Sequence, residues 1–159
     1  MDLQILKDKR LQVYEVVKYV FDLQREVGGG MDEPIYQEMY KIIEDSALMP
    51  CEREKELDIW FRGNKLRKKY TPDFLCHGDI VVEFKTIDRL GPPQRVQLFN
   101  YLRVTKHQIG VLVNFRYDKA YVERWYYDRE TNRCYPFQYD KDTKEPIVFT
   151  PISEECRKE

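Results

Sequence analysis

Residues 70–86 constrain this chain more tightly than any other segment. Tyr70 to Cys76 and Ile80 to Thr86 read as two strands, and His77-Gly78-Asp79 between them is a turn-forming run. A loop of three residues pairs Cys76 with Ile80, Leu75 with Val81 and therefore Asp73 with Glu83. Side chains opposed in this way have Cβ atoms about 4.5–5.5 Å apart, and two carboxylates so placed repel each other. Lys85, two residues beyond Glu83, projects from the same face because strand side chains alternate. Register decides everything here, since a loop of even length would set Asp73 against Phe84 or Val82 and scatter the cluster. Two readings follow from two acids and a base on one patch. A hard divalent cation would turn the repulsion into ligation, with the lysine orienting or helping to deprotonate a bound water. Alternatively, Lys85 simply neutralises Asp73 and Glu83 as a surface charge cluster.

At 159 residues the chain fits one domain, and 42% hydrophobic content is enough for a real core. Its 27 Lys and Arg against 28 Asp and Glu leave no global basic field to draw it to nucleic acid. Phosphate binding must then rest on local patches, of which Lys65, Arg67, Lys68 and Lys69 are the densest; a protected sheet edge explains the same residues equally well. No apolar run is long enough to span a membrane and the N-terminus lacks the apolar core of a secretion signal, so a cytoplasmic location is expected. Cys51, Cys76, Cys134 and Cys156 stand singly, without a C-x-x-C pair, which argues against zinc and for reduced thiols. His77 and His107 read as turn and helix-end residues rather than ligands.

From Leu11 to Val27, Val13, Val16, Val17, Val20 and Phe21 recur at helical spacing, and the helix ends at Gly28-Gly29-Gly30. A second helix begins at Pro34, with Ile35, Tyr36, Met39, Ile42 and Ile43 as its expected buried stripe. Glu33 thus sits at a helix N-terminus, where it can cap free amides or turn toward a cation. Beyond Pro50 the pattern becomes strands: 51–61, a Gly63-Asn64 turn, 65–69 and then the hairpin. A helix over 94–106 and an apolar strand over 109–115 complete a crossover, so the strands carrying Glu83 and Val111 should run parallel. Tyr121 to Tyr127 and Cys134 to Tyr139 form an aromatic hairpin, followed by a polar tail from Ser153. The expected fold class is α/β of the α+β kind, a mixed sheet flanked by helices.

Taken together, these residues resemble the small bacterial family named for its GxxExxY motif, within the PD-(D/E)xK nuclease superfamily. Gly30-Met31-Asp32-Glu33-Pro34-Ile35-Tyr36 matches the naming motif. Tyr70-Thr71-Pro72-Asp73-Phe74-Leu75 matches the aspartate strand and Ile80 to Lys85 the E-x-K strand. Gln97 to Leu102 resembles the Q-x-x-x-Y helix, and Gly110 to Phe115 the final core strand. Five motifs in the expected order are far more specific than one.

The resemblance spans roughly residues 11–125, leaving a C-terminal hairpin and tail, 126–159, as an addition to a single domain over 1–159. It implies a restriction-endonuclease-like core, with motifs arranged as in the RecB and lambda exonuclease groups, and a nuclease acting on DNA with Mg²⁺ or Mn²⁺. Asp73, Glu83 and Glu33 would ligate the metal, and Lys85 would position the attacking water. Gln97 and Tyr101, on one helix face, would contact substrate or hold the acids and lysine in place. The iron-sulfur cluster of some such nucleases is not expected, because the close C-terminal cysteine spacing is absent. The competing reading is a weakly active or silent module that binds nucleic acid or protein. The aromatic hairpin could dock a second copy or a partner, although burial of one face against the core explains it more simply.

Overall fold

The computed structural model describes residues 1–150, so the polar tail from Ser153 lies outside the described residues. A short helix absent from the sequence reading, α1 (Gln4–Asp8), precedes α2 (Arg10–Val27), α3 (Glu33–Ser46) and α4 (Pro92–Thr105). The strands are β1 (Cys51–Arg53), β2 (Leu57–Phe61), β3 (Asn64–Tyr70), β4 (Phe74–Cys76), β5 (Ile80–Lys85), β6 (Ile109–Asn114), β7 (Tyr121–Asp128), β8 (Arg133–Tyr139) and β9 (Pro146–Val148). Among the described residues, seven strands form one sheet in the order β1-β4-β5-β6-β7-β8-β9, while β2 and β3 make a separate hairpin.

The sheet is antiparallel except where β5 runs parallel to β6, as the crossover through α4 requires. This is a mixed α/β architecture with a mostly antiparallel sheet flanked by helices. Strand alternation divides its core in two. On one face Phe74, Ile80, Val82, Phe84, Val111 and Val113 pack with Val13, Val16, Val20, Tyr36 and Tyr40 of α2 and α3. On the other, Leu75, Val81 and Leu112 pack with Leu98, Phe99 and Leu102 of α4. β7 and β8 extend both layers, burying Tyr126 and Phe137 on the first face and Trp125 and Tyr127 on the second. Tyr121 remains exposed.

Three sequence expectations are corrected. The expected strand over 51–61 is broken, because Glu54 adopts a left-handed φ of +54° and the chain leaves β1 to start the β2–β3 hairpin. The inner stripe of α3 is Tyr36, Gln37, Tyr40 and Glu44, while Ile35 and Ile42 face solvent. Tyr40 fixes that rotation by donating to the Val16 carbonyl at 2.8 Å and packing edge-on against Phe74 and Phe84. The third correction concerns the cysteines. Cys51 and Cys76 are opposed on β1 and β4 with Cα atoms 4.0 Å apart, and they form a disulfide rather than two free thiols. Cys134 is buried in the layer beneath α4. Among the described residues no helix is long and apolar enough to cross a membrane.

Candidate functional site

The β4–β5 register is the one read from the sequence: Cys76 pairs with Ile80, Leu75 with Val81 and Phe74 with Val82. Asp73 stands one step before Phe74, where the same register sets it across from Glu83. Alternation puts Asp73, Glu83 and Lys85 on the face that carries Leu75 and Val81, toward α4. Two further contacts hold Asp73. Its Oδ2 accepts the Phe84 N–H at 2.7 Å, and its carbonyl accepts the Glu54 N–H at 3.0 Å.

Glu33 reaches this patch from the opposite layer because the glycine run carries the chain over the end of β6. Gly30, at φ +85°, donates its N–H to the Phe115 carbonyl at 2.9 Å. A Cβ on Gly29 would overlap the Tyr117 carbonyl, so only glycine permits this approach. Tyr36 closes the loop: it stacks on Phe115 with ring centroids 4.3 Å apart and donates to the Gly28 carbonyl at 2.7 Å. It is therefore a core residue, as its type suggests. Asp32, which precedes α3, makes no side-chain cap bond, and Glu33 opens the helix as its first residue.

Electrostatics tie the four residues together. Burial pushes the Glu33 carboxyl upward and the charge of Asp73 adds to this, while Lys85 opposes both. Burial first and Asp73 second lift Glu83 to about 8, while hydrogen bonding from Tyr70 and the charge of Lys85 pull the other way. The protonated form of Glu83 is favoured because a second carboxylate lies beside it in a poorly solvated place. The fold thus brings together all four charged residues singled out in the sequence.

Gln97 and Tyr101 are joined to each other, with Gln97 Nε2 donating to the Tyr101 hydroxyl at 3.3 Å. Gln97 is exposed. Tyr101 reaches the acids through an intermediary that sequence reasoning missed. Its ring stacks on Tyr70, centroids 3.5 Å apart, and the Tyr70 hydroxyl donates to Glu83 Oε1. Burial and the Glu83 carboxylate both raise the Tyr70 phenol, keeping it a donor. Gln37 was missed as well. It donates to Glu33 at 3.3 Å and accepts from Arg53 at 3.3 Å; its position at i+4 from Glu33 was the available signal. Asn114, at the end of β6, is 5% exposed and clamps Ile87, donating to its carbonyl at 2.8 Å and accepting its N–H at 3.2 Å. Because Asn114 also pairs with Lys85 in the β5–β6 register, it fixes the strand end that presents the lysine.

Two further ionisable groups have acidic partners of their own. Arg116 binds Asp88 at 3.1 Å, and His77 lies 3.4 Å from Glu15. Glu44, Cys51 and Cys76 form a second group with ligand atoms within 4.8 Å of one another, but the two sulfurs are bonded to each other and offer no thiolate.

No curated protein and no solved structure matches the chain. The model of the Kunitz/bovine pancreatic trypsin inhibitor domain matches residues 117–158, a segment whose described part forms β7, β8 and β9 of the main sheet. Inhibitor domains of that kind are disulfide-dense, whereas this segment holds only Cys134 and Cys156. The family model of the PD-(D/E)XK nuclease superfamily matches residues 10–125, which include all six site residues expected from the sequence. On that match over most of its length, the chain belongs to the PD-(D/E)XK nuclease superfamily.

Proposed function

We propose that this protein is a metal-dependent nuclease that hydrolyses phosphodiester bonds in DNA, and that within its superfamily it falls in the GxxExxY branch. The observation that carries this reading is the facing of Asp73 and Glu83 across β4 and β5, with Lys85 on the same face and Glu33 close enough to feel Asp73. Three carboxylates around one ammonium group leave surplus negative charge in a half-buried place. Burial first, and the neighbouring Asp73 second, push Glu33 and Glu83 toward their protonated forms, and the surplus of carboxylates fits an oxygen-ligated hard cation such as Mg²⁺ or Mn²⁺.

Asp73, Glu83 and Glu33 would hold the ion. When bound, it supplies Lewis-acid polarisation and an acidified water at neutral pH. The chain's own groups do the positioning. Lys85 faces the developing charge on the phosphate and orients the nucleophile, Tyr70 fixes one oxygen of Glu83, and Gln37 fixes Glu33. Gln97 and Tyr101, at the exposed rim, are placed to meet the substrate strand or to steady Tyr70.

The test is cleavage of linear, nicked and single-stranded DNA in Mg²⁺ or Mn²⁺ by the wild type, Asp73→Ala and Lys85→Ala. We expect wild-type turnover, at least a hundred-fold loss in both variants, and calorimetric Mn²⁺ uptake retained in Lys85→Ala but weakened in Asp73→Ala. No cleavage of any substrate combined with no metal uptake would favour the silent binding module instead.

A further inference from the structure

The β2–β3 hairpin projects from the sheet as an unbroken exposed run, with every residue from Trp60 to Lys69 open to solvent. Two large aromatic residues at its tip lie bare, Trp60 at 57% and Phe61 at 61% exposure. Burial of such surface is worth kilocalories to a fold, so its exposure calls for a ligand. The same ten residues hold five cations and no acid, on a chain whose net charge is −1. Lys65 is satisfied by Asp58, and Lys69 by Glu56 and Asp58. Among the described residues Arg62, Arg67 and Lys68 have no acidic partner. Arg62 instead lies over the Phe61 ring, 5.2 Å from its centroid.

Register shows where this surface leads. Leu57 pairs with Tyr70 at the base of the hairpin, and Phe61 pairs with Asn64 at its tip, with an irregularity between Asp58 and Trp60. Leu57, Ile59 and Phe61 share one side by alternation, and Leu57 and Ile59 join the cluster that holds Tyr70 and Tyr101. Trp60 takes the opposite side, so the tip offers an aromatic face in each direction. From Asn64 to Tyr70 the strand covers about 20 Å and ends at the hydroxyl that binds Glu83.

We infer that this hairpin is a platform for single-stranded nucleic acid: Trp60 and Phe61 stack on unpaired bases, and Arg62, Arg67 and Lys68 take phosphates along β3 toward the carboxylates. The inference rests on the nuclease reading for its direction, but not for the binding itself. Duplex DNA shows base edges rather than base faces to a side chain, so aromatic stacking selects single strands, overhangs or frayed ends. Interleaved unpaired cations favour a polyanion over an apolar protein surface.

The chain has two tryptophans, and Trp125 is only 6% exposed, so fluorescence quenching by a ligand reads Trp60. The experiment titrates Asp73→Ala protein in EDTA with a dT₁₂ oligonucleotide and with a 12-base-pair blunt duplex. Trp60→Ala, Trp60→Phe and the triple change Arg62→Gln, Arg67→Gln, Lys68→Gln are then added to that background. We expect quenching by dT₁₂, affinity lowered five- to fifty-fold in Trp60→Ala, and near-full affinity without the quench in Trp60→Phe. In the triple variant, the slope of log affinity against log salt should fall by about 2.

Equal affinity for duplex and dT₁₂, or unchanged dT₁₂ affinity in Trp60→Ala, overturns the inference. So does self-association by light scattering that is lost in Trp60→Ala while dT₁₂ affinity is unchanged, which would make the tip a protein interface. Parallel cleavage assays of the wild type separate the two claims: quenching without cleavage upholds the platform and removes the nuclease reading, and cleavage without quenching does the reverse.

Discussion

Replacing Glu83 by glutamine should make the metal-free protein more stable, and increasingly so as pH rises. The fold holds Glu83 protonated up to about 8, against 4.5 for a free side chain, because it is poorly solvated and lies beside Asp73. The stability this protonated form confers is complete below about pH 4.5, falls as pH climbs from there to about 8, and is level above. At 1.36 kcal/mol per pH unit the interval sets a ceiling of about 5 kcal/mol. Residual solvent contact lowers it, and about 2–3 kcal/mol is the working expectation.

Glutamine keeps the shape and has no proton to lose. The stability of Glu83→Gln relative to wild type should therefore rise by about 2–3 kcal/mol between pH 4.5 and 8.5, or about 5–10 °C in Tm for a chain of this size. Glu44, fully buried and lifted to about 7 by that burial, titrates in both proteins and cancels from the difference. The assay is thermal unfolding by circular dichroism at pH 4.5, 6.5 and 8.5 in EDTA. Adding Mn²⁺ at pH 8.5 should raise the Tm of the wild type well above its EDTA value and that of the variant much less. A difference between the two proteins that stays constant across the pH range would refute the placement of Glu83 beside Asp73 in a poorly solvated site.

Two further outcomes are expected. Cys76→Ser opens a bridge that closes 25 residues of sequence, which corresponds to about 3 kcal/mol in urea unfolding, and the same loss should appear when the wild type is reduced with dithiothreitol. Asn114→Ala removes a buried side chain that satisfies both backbone groups of Ile87; we expect about 1–3 kcal/mol lower stability and, because Lys85 is the Asn114 partner in the β5–β6 register, a larger fall in kcat than in KM for DNA.

Local rules suffice where spacing alone determines geometry. Three residues between two strands fix a register, and that register makes Asp73, Glu83 and Lys85 legible from the order of the residues. The glycine run before Glu33 marks a sharp passage, and its physical need is the close approach of Gly29 to the Tyr117 carbonyl. The features that spacing does not carry depend on packing between distant elements. Ile35 and Ile42 look buried by type, yet the bond of Tyr40 to Val16 rotates α3 so that Gln37 and Glu44 go inside instead. Tyr70 sits three residues before Asp73, but its partners are on α4 and β5, and nothing in spacing says that a ring will stack on Tyr101. The disulfide is hidden for the same reason. Cys51 and Cys76 are unremarkable until β1 is known to pair with β4 rather than to continue into β2.

The three carboxylates come from three elements, and each is fixed by a contact made outside the cluster. Glu33 depends on the glycine passage and Gln37, Asp73 on the amides of Phe84 and Glu54, and Glu83 on Tyr70. Their repulsion is therefore opposed by the fold itself rather than by their own movement apart. A site assembled in this way has its geometry in place before a ligand arrives, so little of the binding energy goes into rearrangement. It also gives the holding residues a direction that can be checked: Tyr70→Phe keeps the ring but removes the hydrogen bond that pulls Glu83 down, so the Glu83 carboxyl should move further above its ordinary range and the Mn²⁺ uptake proposed for the site should weaken with it.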